Sequence, residues 1–235
     1  MTKVPYPDKE YGVCCQNLSV SYAGTPLFDN FSLDFESGGC TCLLGPSGCG
    51  KSTLIRIISG AKSITYSGEV LFQKQGDQNE DVAWMSQKDL LLPWLTVLDN
   101  IMLGAKLRGD VSDELRAKAV QLLCAAGMEE YQKNFPAVLS GGMRQRVALL
   151  RTLMEERKII LMDEPFSALD ALTRLKLQDL SATLTRGKTV ILVTHDPLEA
   201  LRLGDRIVVL GGSPARIVSD IRPTGSVPRK SGGVS

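Results

Sequence analysis

Early in the chain, a glycine-rich stretch has the residue types that hold phosphate groups. It matches the pattern G-x-x-x-x-G-K-[ST] and lies between a predicted strand and a predicted helix. Glycines let backbone N–H groups turn inward around phosphates, and the following helix directs its positive end at the same anions. We therefore predict a nucleoside triphosphate site made of Gly45, Pro46, Ser47, Gly48, Cys49, Gly50, Lys51, Ser52 and Thr53.

Two side chains of this phosphate loop have the chemistry for separate tasks. Lys51 supplies a cation for the β- and γ-phosphates, and the Ser52 hydroxyl is a ligand for Mg²⁺. The alternative is a glycine-rich turn that matches by chance, which the strand and helix around it disfavour. The chemistry expected here is binding of a nucleoside triphosphate with magnesium, followed by hydrolysis.

Two acidic residues, Asp163 and Glu164, follow the apolar run Ile159–Met162. Ligands of open α/β sheets lie at the carboxyl ends of strands, so both carboxylates should reach the phosphates. Asp163 is expected to bind Mg²⁺ directly or through water, and Glu164 to polarise the attacking water. Because successive residues of an extended chain point to opposite sides, the two side chains should diverge. The alternative is an acidic pair that caps the next turn.

A third motif, Leu-Ser-Gly-Gly-Met-Arg-Gln-Arg from Leu139 to Arg146, precedes an amphipathic helix. Alone it could be a helix entrance. Together with the phosphate loop it resembles the signature of ATP-binding cassette (ABC) proteins. The other matches come in that family's order, namely Gln87 at a strand end, Ser167–Asp170 after the acidic pair, and His195 after the strand Val190–Val193. The resemblance covers roughly residues 13–218.

The resemblance implies a mechanism that needs two copies of the chain. Such proteins pair head to tail and hold ATP between the phosphate loop of one copy and the signature of the other. Ser140, Gly141 and Gly142 would then offer N–H donors and a helix N-terminus to the γ-phosphate across the interface. Gln87 would contact the metal and the attacking water and signal to the membrane partner, and Asp170 would help join the two sites.

Two further residues gain a role from the resemblance. A lone histidine is usually structural, but His195 directly precedes Asp196–Glu199, a helix start with proline at its first position. The resemblance implies that it senses the γ-phosphate, so the expected catalytic group is Glu164, His195 and Gln87. Tyr22 ends a strand where the family places an aromatic ring that stacks on adenine; an ordinary strand-end aromatic residue is the alternative.

The segment Leu-Leu-Pro-Trp-Leu-Thr-Val, from Leu91 to Val97, looks like the group of importers for nitrate, sulfonates, taurine and pyrimidine precursors of thiamine. It could be ordinary core, or it could form a groove that receives a helix of a membrane subunit. The importer resemblance implies transmembrane permease subunits and an external substrate-binding protein as partners. It also implies a peripheral location on the cytoplasmic face of the inner membrane.

The element pattern predicts an α/β protein. Short apolar runs up to Gln87 are typical of strands, the period is helical over 88–156, and Ile159–Met162 and Val190–Val193 lack the alternation of a half-exposed strand. With the resemblance, the expected fold is the nucleotide-binding core of a P-loop NTPase, a mixed sheet flanked by helices, with an antiparallel β region. We expect one domain over 1–235, with core segments 13–87 and 157–220, a helical signature subdomain over 88–156 and a loose tail over 221–235.

Composition excludes several classes of function. The 235 residues carry 27 basic and 26 acidic side chains, a net charge of +1 that disfavours nucleic acid as a partner. The six cysteines have no zinc-ligand spacing and suggest reduced thiols. No apolar run reaches the ~18 residues that span a bilayer, so any membrane role requires a separate membrane protein.

Two alternatives to the importer ATPase remain at this stage. A small-molecule kinase with the same phosphate loop would lack the signature motif and the histidine. A non-transport member of the family that acts on DNA or ribosomes, the second alternative, would typically carry two cassettes or a long coiled coil. Only 86 residues separate Ser52 from Leu139, which disfavours that coiled coil. Glu164 and His195 disfavour a related possibility, a nucleotide-dependent regulator without catalytic activity.

Overall fold

Residues 11–72 and 82–229 are described by the structure, a computed structural model. Its strands are β1 Tyr11–Tyr22, β2 Thr25–Glu36, β3 Cys40–Leu44, β4 Ser67–Phe72, β5 Val82–Met85, β6 Ile159–Asp163, β7 Thr189–Val193, β8 Arg206–Gly211 and β9 Arg216–Ile221. Its α-helices are α1 Lys51–Ile58, α2 Val97–Ile101, α3 Leu103–Arg108, α4 Asp113–Ala125, α5 Gly141–Met154, α6 Ala171–Leu184 and α7 Pro197–Leu203. Two short 3₁₀ helices, Glu129–Tyr131 and Pro136–Val138, lie between α4 and α5.

The described strands form two sheets. A six-stranded sheet has the order β5-β6-β7-β3-β8-β9, in which β9 alone is antiparallel to its neighbour. A three-stranded antiparallel sheet has the order β2-β1-β4. The predicted mixed sheet with flanking helices and a separate antiparallel region is therefore confirmed. Because β3, β6 and β7 are neighbours and parallel, the residues that follow them meet at one edge of the sheet.

The central strands are buried on both faces, which explains their continuous apolar runs. In β6, Ile159 and Leu161 pack with α1 and the antiparallel sheet, whereas Ile160 and Met162 pack with α5, α6 and α7. All five residues of β6 and of β7 are buried. Two hydrophobic layers thus cover both faces of the strands that end at the phosphate loop and at the acidic pair.

The helical segment over 88–156 shares one of these layers with the six-stranded sheet. Leu123 of α4 and Val147 of α5 belong to the same buried cluster as Ile160 of β6 and Leu192 of β7. A displacement of α5 would therefore also displace the strands beneath it, because close-packed interiors transmit strain.

The first part of the predicted loose tail is tied to the fold. Residue 221 still belongs to β9, and the Arg222 guanidinium donates to both carboxylate oxygens of Glu36. The Arg229 guanidinium donates to the carbonyls of Leu201 and Gly204. The backbone N–H of Arg229 donates to the carbonyl of Arg202. The expectation of a loose tail therefore needs correction over 221–229, while 230–235 lie outside the described residues.

Within the described parts of the chain, no helix combines the length and the apolar character that a membrane crossing requires.

Candidate functional site

The phosphate loop connects β3 to α1, and two of its glycines are required by the space around them. Gly45 has φ +149°, and a Cβ there would lie 2.3 Å from the carbonyl oxygen of Leu210. Gly50 has φ +98°, and its Cβ would lie 2.7 Å from the Phe28 ring. The conformation and the packing of the loop both depend on residues without a side chain.

The Lys51 side chain lies inside this loop and is only 7% exposed. Its Nζ donates to the carbonyl oxygens of Gly45 at 2.7 Å and Pro46 at 2.9 Å and lies 3.8 Å from Cys49 Sγ. The loop therefore holds a buried cation next to the N-terminus of α1, where no side chain caps the first N–H groups. Such an arrangement favours anions.

The first acid of the pair is joined to the phosphate loop. The Ser52 hydroxyl donates to Asp163 Oδ1 at 3.0 Å. Burial raises the pKa of Asp163 above its ordinary value, while the Ser52 hydrogen bond opposes that rise. A hydroxyl and a carboxylate oxygen are thus held together at the start of α1 and the end of β6.

The second acid, Glu164, is held between two of the other predicted catalytic residues. Glu164 Oε2 accepts from Gln87 Nε2 at 3.4 Å, and Glu164 Oε1 lies 3.3 Å from His195 Nδ1. The three side chains follow β5, β6 and β7, which are adjacent in the sheet. The sheet order thus brings together residues that are far apart in the sequence.

The two acids diverge for a different reason from the one predicted. Asp163 is the last residue of β6, but Glu164 already leaves the strand with φ +50°, a left-handed conformation that is uncommon outside glycine. The Glu164 N–H donates to the carbonyl of Val193 at 2.9 Å, which helps to fix this conformation. A turn of the backbone, rather than strand alternation, directs the Glu164 side chain.

A cleft of about 300 Å³ lies over the phosphate loop. It is lined by Tyr22, Leu27, Ser47, Gly48, Gly50, Lys51, Ser52, Thr53, Gln87 and Glu164. Tyr22 is 49% exposed beside this cleft, so its ring is free to contact a ligand. Leu27 was missed by the sequence analysis, and only its position on the hairpin partner of Tyr22 could have indicated it.

The signature residues do not line that cleft. Ser140 caps α5, with its Oγ accepting from the Met143 N–H at 3.3 Å. Gly141 lines a second cleft of about 540 Å³ together with Gln87, Ser167 and Ala168. The structure therefore separates the signature from the phosphate loop of its own chain.

One buried carboxylate near the site has no predicted role. Glu199 lies on α7, four residues after His195, and is 5% exposed. Burial raises its pKa to about 7, while a hydrogen bond with Thr194 and the charge of Arg174 act in the opposite direction. Its Oε2 accepts from Gln178 Nε2 at 3.5 Å, and its Oε1 has no hydrogen-bond partner within the described residues.

Comparison with known protein families gives a match over most of this site. A family model described as "ABC transporter" matches residues 28–167. An uncharacterized ABC transporter ATP-binding protein of Haemophilus influenzae is 44% identical, with 92% of this chain and 90% of the relative covered.

Two relatives have names that specify a solute. The aliphatic sulfonates import ATP-binding protein SsuB of Cupriavidus necator is 41% identical, covering 96% of this chain and 75% of the relative. The taurine import ATP-binding protein TauB of Jannaschia sp. is 36% identical, covering 90% and 82%.

A solved structure has the same fold over most of its length. It is the dimeric, post-hydrolysis state of the ATP-binding cassette MJ0796 bound to ADP and Pi. Its TM-score to this chain is 0.79 at 33% identity, covering 91% of this chain and all of that one.

Proposed function

We infer that this chain, which belongs to the ABC transporter family, is the ATP-hydrolysing motor subunit of an importer. The observation that carries this conclusion is the position of Glu164 between Gln87 and His195, beside the phosphate loop. A passive nucleotide-binding protein needs the loop alone. A carboxylate that lines the same cleft is what hydrolysis requires in addition.

For nucleotide binding, we propose that the phosphate loop and Tyr22 act together. Lys51 would exchange its bonds to the carbonyls of Gly45 and Pro46 for the β- and γ-phosphates, aided by the N–H groups of Gly48 and Gly50. The buried position of its ammonium group limits competition from water. Tyr22 would stack on the adenine ring, which its exposed position beside the cleft permits.

Ser52 and Asp163 fit a Mg²⁺ ion. Mg²⁺ is usually held by one or two protein oxygens together with phosphates and water, and these two oxygens lie 3.0 Å apart next to the loop. The ion would neutralise charge on the phosphates. Gln87 lines the same cleft, which supports its proposed contact with the metal and the attacking water.

In hydrolysis, Glu164 would accept a proton from the attacking water, and His195 would contact the γ-phosphate. His195 is held between the buried strand β7 and helix α7, whose N-cap Asp196 accepts from the N–H groups of Leu198 and Glu199. A rigid backbone on both sides suits a residue that must detect one phosphate group.

We further propose a head-to-tail homodimer. The signature residues Ser140, Gly141 and Gly142 are separated from the cleft of their own chain, so a γ-phosphate for them must come from a second copy. The similar MJ0796 cassette is described as a dimer with ADP and Pi, which supports this arrangement. Asp170 caps α6 through the Thr173 N–H at 3.0 Å and would help join the two sites.

The segment Leu91–Val97 supports a membrane partner. Leu91 and Val97 are buried, as ordinary core would be, whereas Trp94 is 69% exposed and so remains available to a partner. The buried side chain of Asn100 donates to the carbonyls of Leu92, Leu95 and Thr96, and so fixes the loop that presents Trp94. We propose that this loop receives a helix of a transmembrane permease subunit at the cytoplasmic face of the inner membrane.

The solute is proposed by analogy with the relatives. Because their names specify aliphatic sulfonates and taurine, we propose a small sulfonate delivered by an external substrate-binding protein. This subunit would supply the energy for transport without contacting the solute.

The nucleotide site is tested by replacing Lys51 with alanine. We expect the equilibrium affinity for MgATP to fall at least ~100-fold, equivalent to ~2.7 kcal/mol, because the buried cation of the loop is lost. The exposed Lys62→Ala variant is the matched control and should bind as the wild type does. Affinity within about threefold of the wild type in Lys51→Ala would refute the phosphate-loop assignment.

A further inference from the structure

Gln145 belongs to the signature motif, yet nothing in the proposed mechanism uses it. It lies on α5, one turn after Ser140, and is 6% exposed. A buried amide is costly unless its polar atoms have partners, so its contacts indicate why the residue is there.

All of the contacts of the Gln145 amide are on the turn that follows β6. Its Nε2 donates to the carbonyl oxygen of Glu164 at 2.8 Å and to Ser167 Oγ at 3.2 Å. Its Oε1 accepts from the N–H of Ala168 at 2.8 Å. These partners fix the orientation of the amide, because a flipped amide would place its NH₂ group against the Ala168 N–H.

The turn to which Gln145 is hydrogen-bonded has a strained backbone. Glu164 has φ +50°, which costs of order 1 kcal/mol or more for a residue with a Cβ and persists only when its surroundings enforce it. The N–H of Glu164 is held by Val193, and its carbonyl accepts from Ser167 as well as from Gln145. The Gln145 amide links this turn to α5 through hydrogen bonds.

The start of α5 touches the same turn. A Cβ at Gly142 would lie 2.8 Å from the carbonyl oxygen of Ala168, so the helix start and the turn are in close contact. A displacement of the signature residues would therefore reach Ala168 directly and Glu164 through the amide of Gln145.

We propose that Gln145 is a positioning residue that couples the signature helix to the carboxylate of Glu164 in the same chain. This inference rests on the proposed function. In a head-to-tail dimer the signature contacts the ATP held by the partner, whereas Glu164 acts on the ATP of its own chain. Gln145 thus connects the two nucleotide sites within one subunit, so that binding at one site sets the geometry of hydrolysis at the other.

The test uses the full chain assembled with its membrane subunits and two replacements of Gln145. Gln145→Leu removes every bond of the amide. Gln145→Glu keeps an acceptor for the Ala168 N–H but loses the donor to the Glu164 carbonyl. We expect both variants to lower kcat for phosphate release about tenfold or more, because a small misplacement of a catalytic group is costly. The KM for ATP and the equilibrium affinity for MgATP should stay within about threefold.

Thr152→Val is the matched control on the same helix. Thr152 is also buried, but its hydroxyl donates only to the Ala148 carbonyl of α5 at 3.0 Å. The control variant should keep kcat within about twofold of the wild type. An equal loss in Thr152→Val would attribute the effect to packing of α5 and overturn the inference.

Three other results would also contradict it. Unchanged kcat in folded Gln145→Leu or Gln145→Glu would show that the hydrogen bonds of the Gln145 amide to the turn are irrelevant to hydrolysis. Loss of MgATP affinity together with kcat would make Gln145 a support of the nucleotide loop or of the fold. A defect in Gln145→Leu alone would assign the role to the Ala168 bond instead. Absence of hydrolysis by the wild-type complex would refute the proposed function itself, which distinguishes the two failures.

Discussion

At the scale of single residues, the site depends on carboxylates in unlike surroundings. Asp163 is buried and bonded to Ser52, Glu164 lies between Gln87 and His195, and Glu199 is enclosed beneath α7. Asp163 faces the phosphate loop, and Glu164 faces the cleft over that loop. Glu199 faces the protein interior, so its protonation affects the stability of the segment that carries His195.

The pKa of Glu199 predicts a pH-dependent stability. Its pKa is about 7 in the folded chain against an ordinary value of 4.5, so the folded state keeps a proton that the unfolded state has lost. The contribution of Glu199 to the free energy of unfolding is fully present below pH ~4.5 and declines as the pH rises to ~7. Replacing Glu199 with glutamine removes the cost of ionisation. The advantage of Glu199→Gln should therefore grow by about 2–3 kcal/mol between pH 5 and pH 8.

Denaturant unfolding at the two pH values measures this difference. The exposed Glu130→Gln variant is the control and should show almost no change in its difference from the wild type. A pH-independent difference between Glu199→Gln and the wild type would mean that Glu199 ionises as an ordinary carboxylate.

At the scale of elements, the start of α5 does two things at once. Ser140 caps the helix, and Gly142 lets the helix approach the turn after β6 to within contact distance. In the proposed dimer, the same N-terminus must also remain accessible to a second chain. An added methyl group at Gly142 therefore changes the position of the helix start even though alanine favours a helix over glycine.

Gly142→Ala should block ATP-dependent pairing while leaving nucleotide binding intact. In a Glu164→Gln background, MgATP should raise the light-scattering mass to that of a dimer. Adding Gly142→Ala should keep the mass near that of a monomer, because the Cβ would lie 2.8 Å from the Ala168 carbonyl. Thr152→Val, a replacement on α5 away from the helix start, is the control and should leave the dimer mass unchanged. Full dimerisation of Gly142→Ala would contradict the close approach described here.

Much of the element pattern could be predicted because local chemistry decides it. The helix predicted after the phosphate loop is α1, which ends at Ile58, and Gly60 just beyond it has φ +75°. Short apolar runs indicate strands in this part of the chain, but β2 extends over the longer range Thr25–Glu36. Its first half is formed by a tight hairpin in which Ala23 and Gly24 both have positive φ.

The geometry of the candidate site was less predictable. The convergence of Gln87, Glu164 and His195 depends on sheet order, which periodicity does not contain. The left-handed turn at Glu164 has no local signal, since neither glycine nor asparagine occupies the position. The hydrogen bonds of Gln145 to that turn are long-range contacts. The position of Gln145 on a helix could not predict them.

At the scale of the whole molecule, each chain carries the two proposed parts of a nucleotide site at separate places. The cleft over the phosphate loop is lined by most of the proposed binding and catalytic residues, and Gly141 of the signature lines a different cleft. Both parts rest on one shared hydrophobic layer between the helical segment and the mixed sheet. The proposed head-to-tail dimer fits this division, because each chain would then contribute to both ATP sites.

The most direct test of this account is the rate of phosphate release by Glu164→Gln in the complex with the membrane subunits. Glutamine preserves the size of the side chain and its bond to Gln87 but cannot accept a proton. We predict that turnover at saturating MgATP falls at least ~100-fold, the lower range for a positioned general base. Affinity for MgATP, measured on the same sample, should be unchanged. Turnover within a few-fold of the wild type would contradict the account and place the base elsewhere.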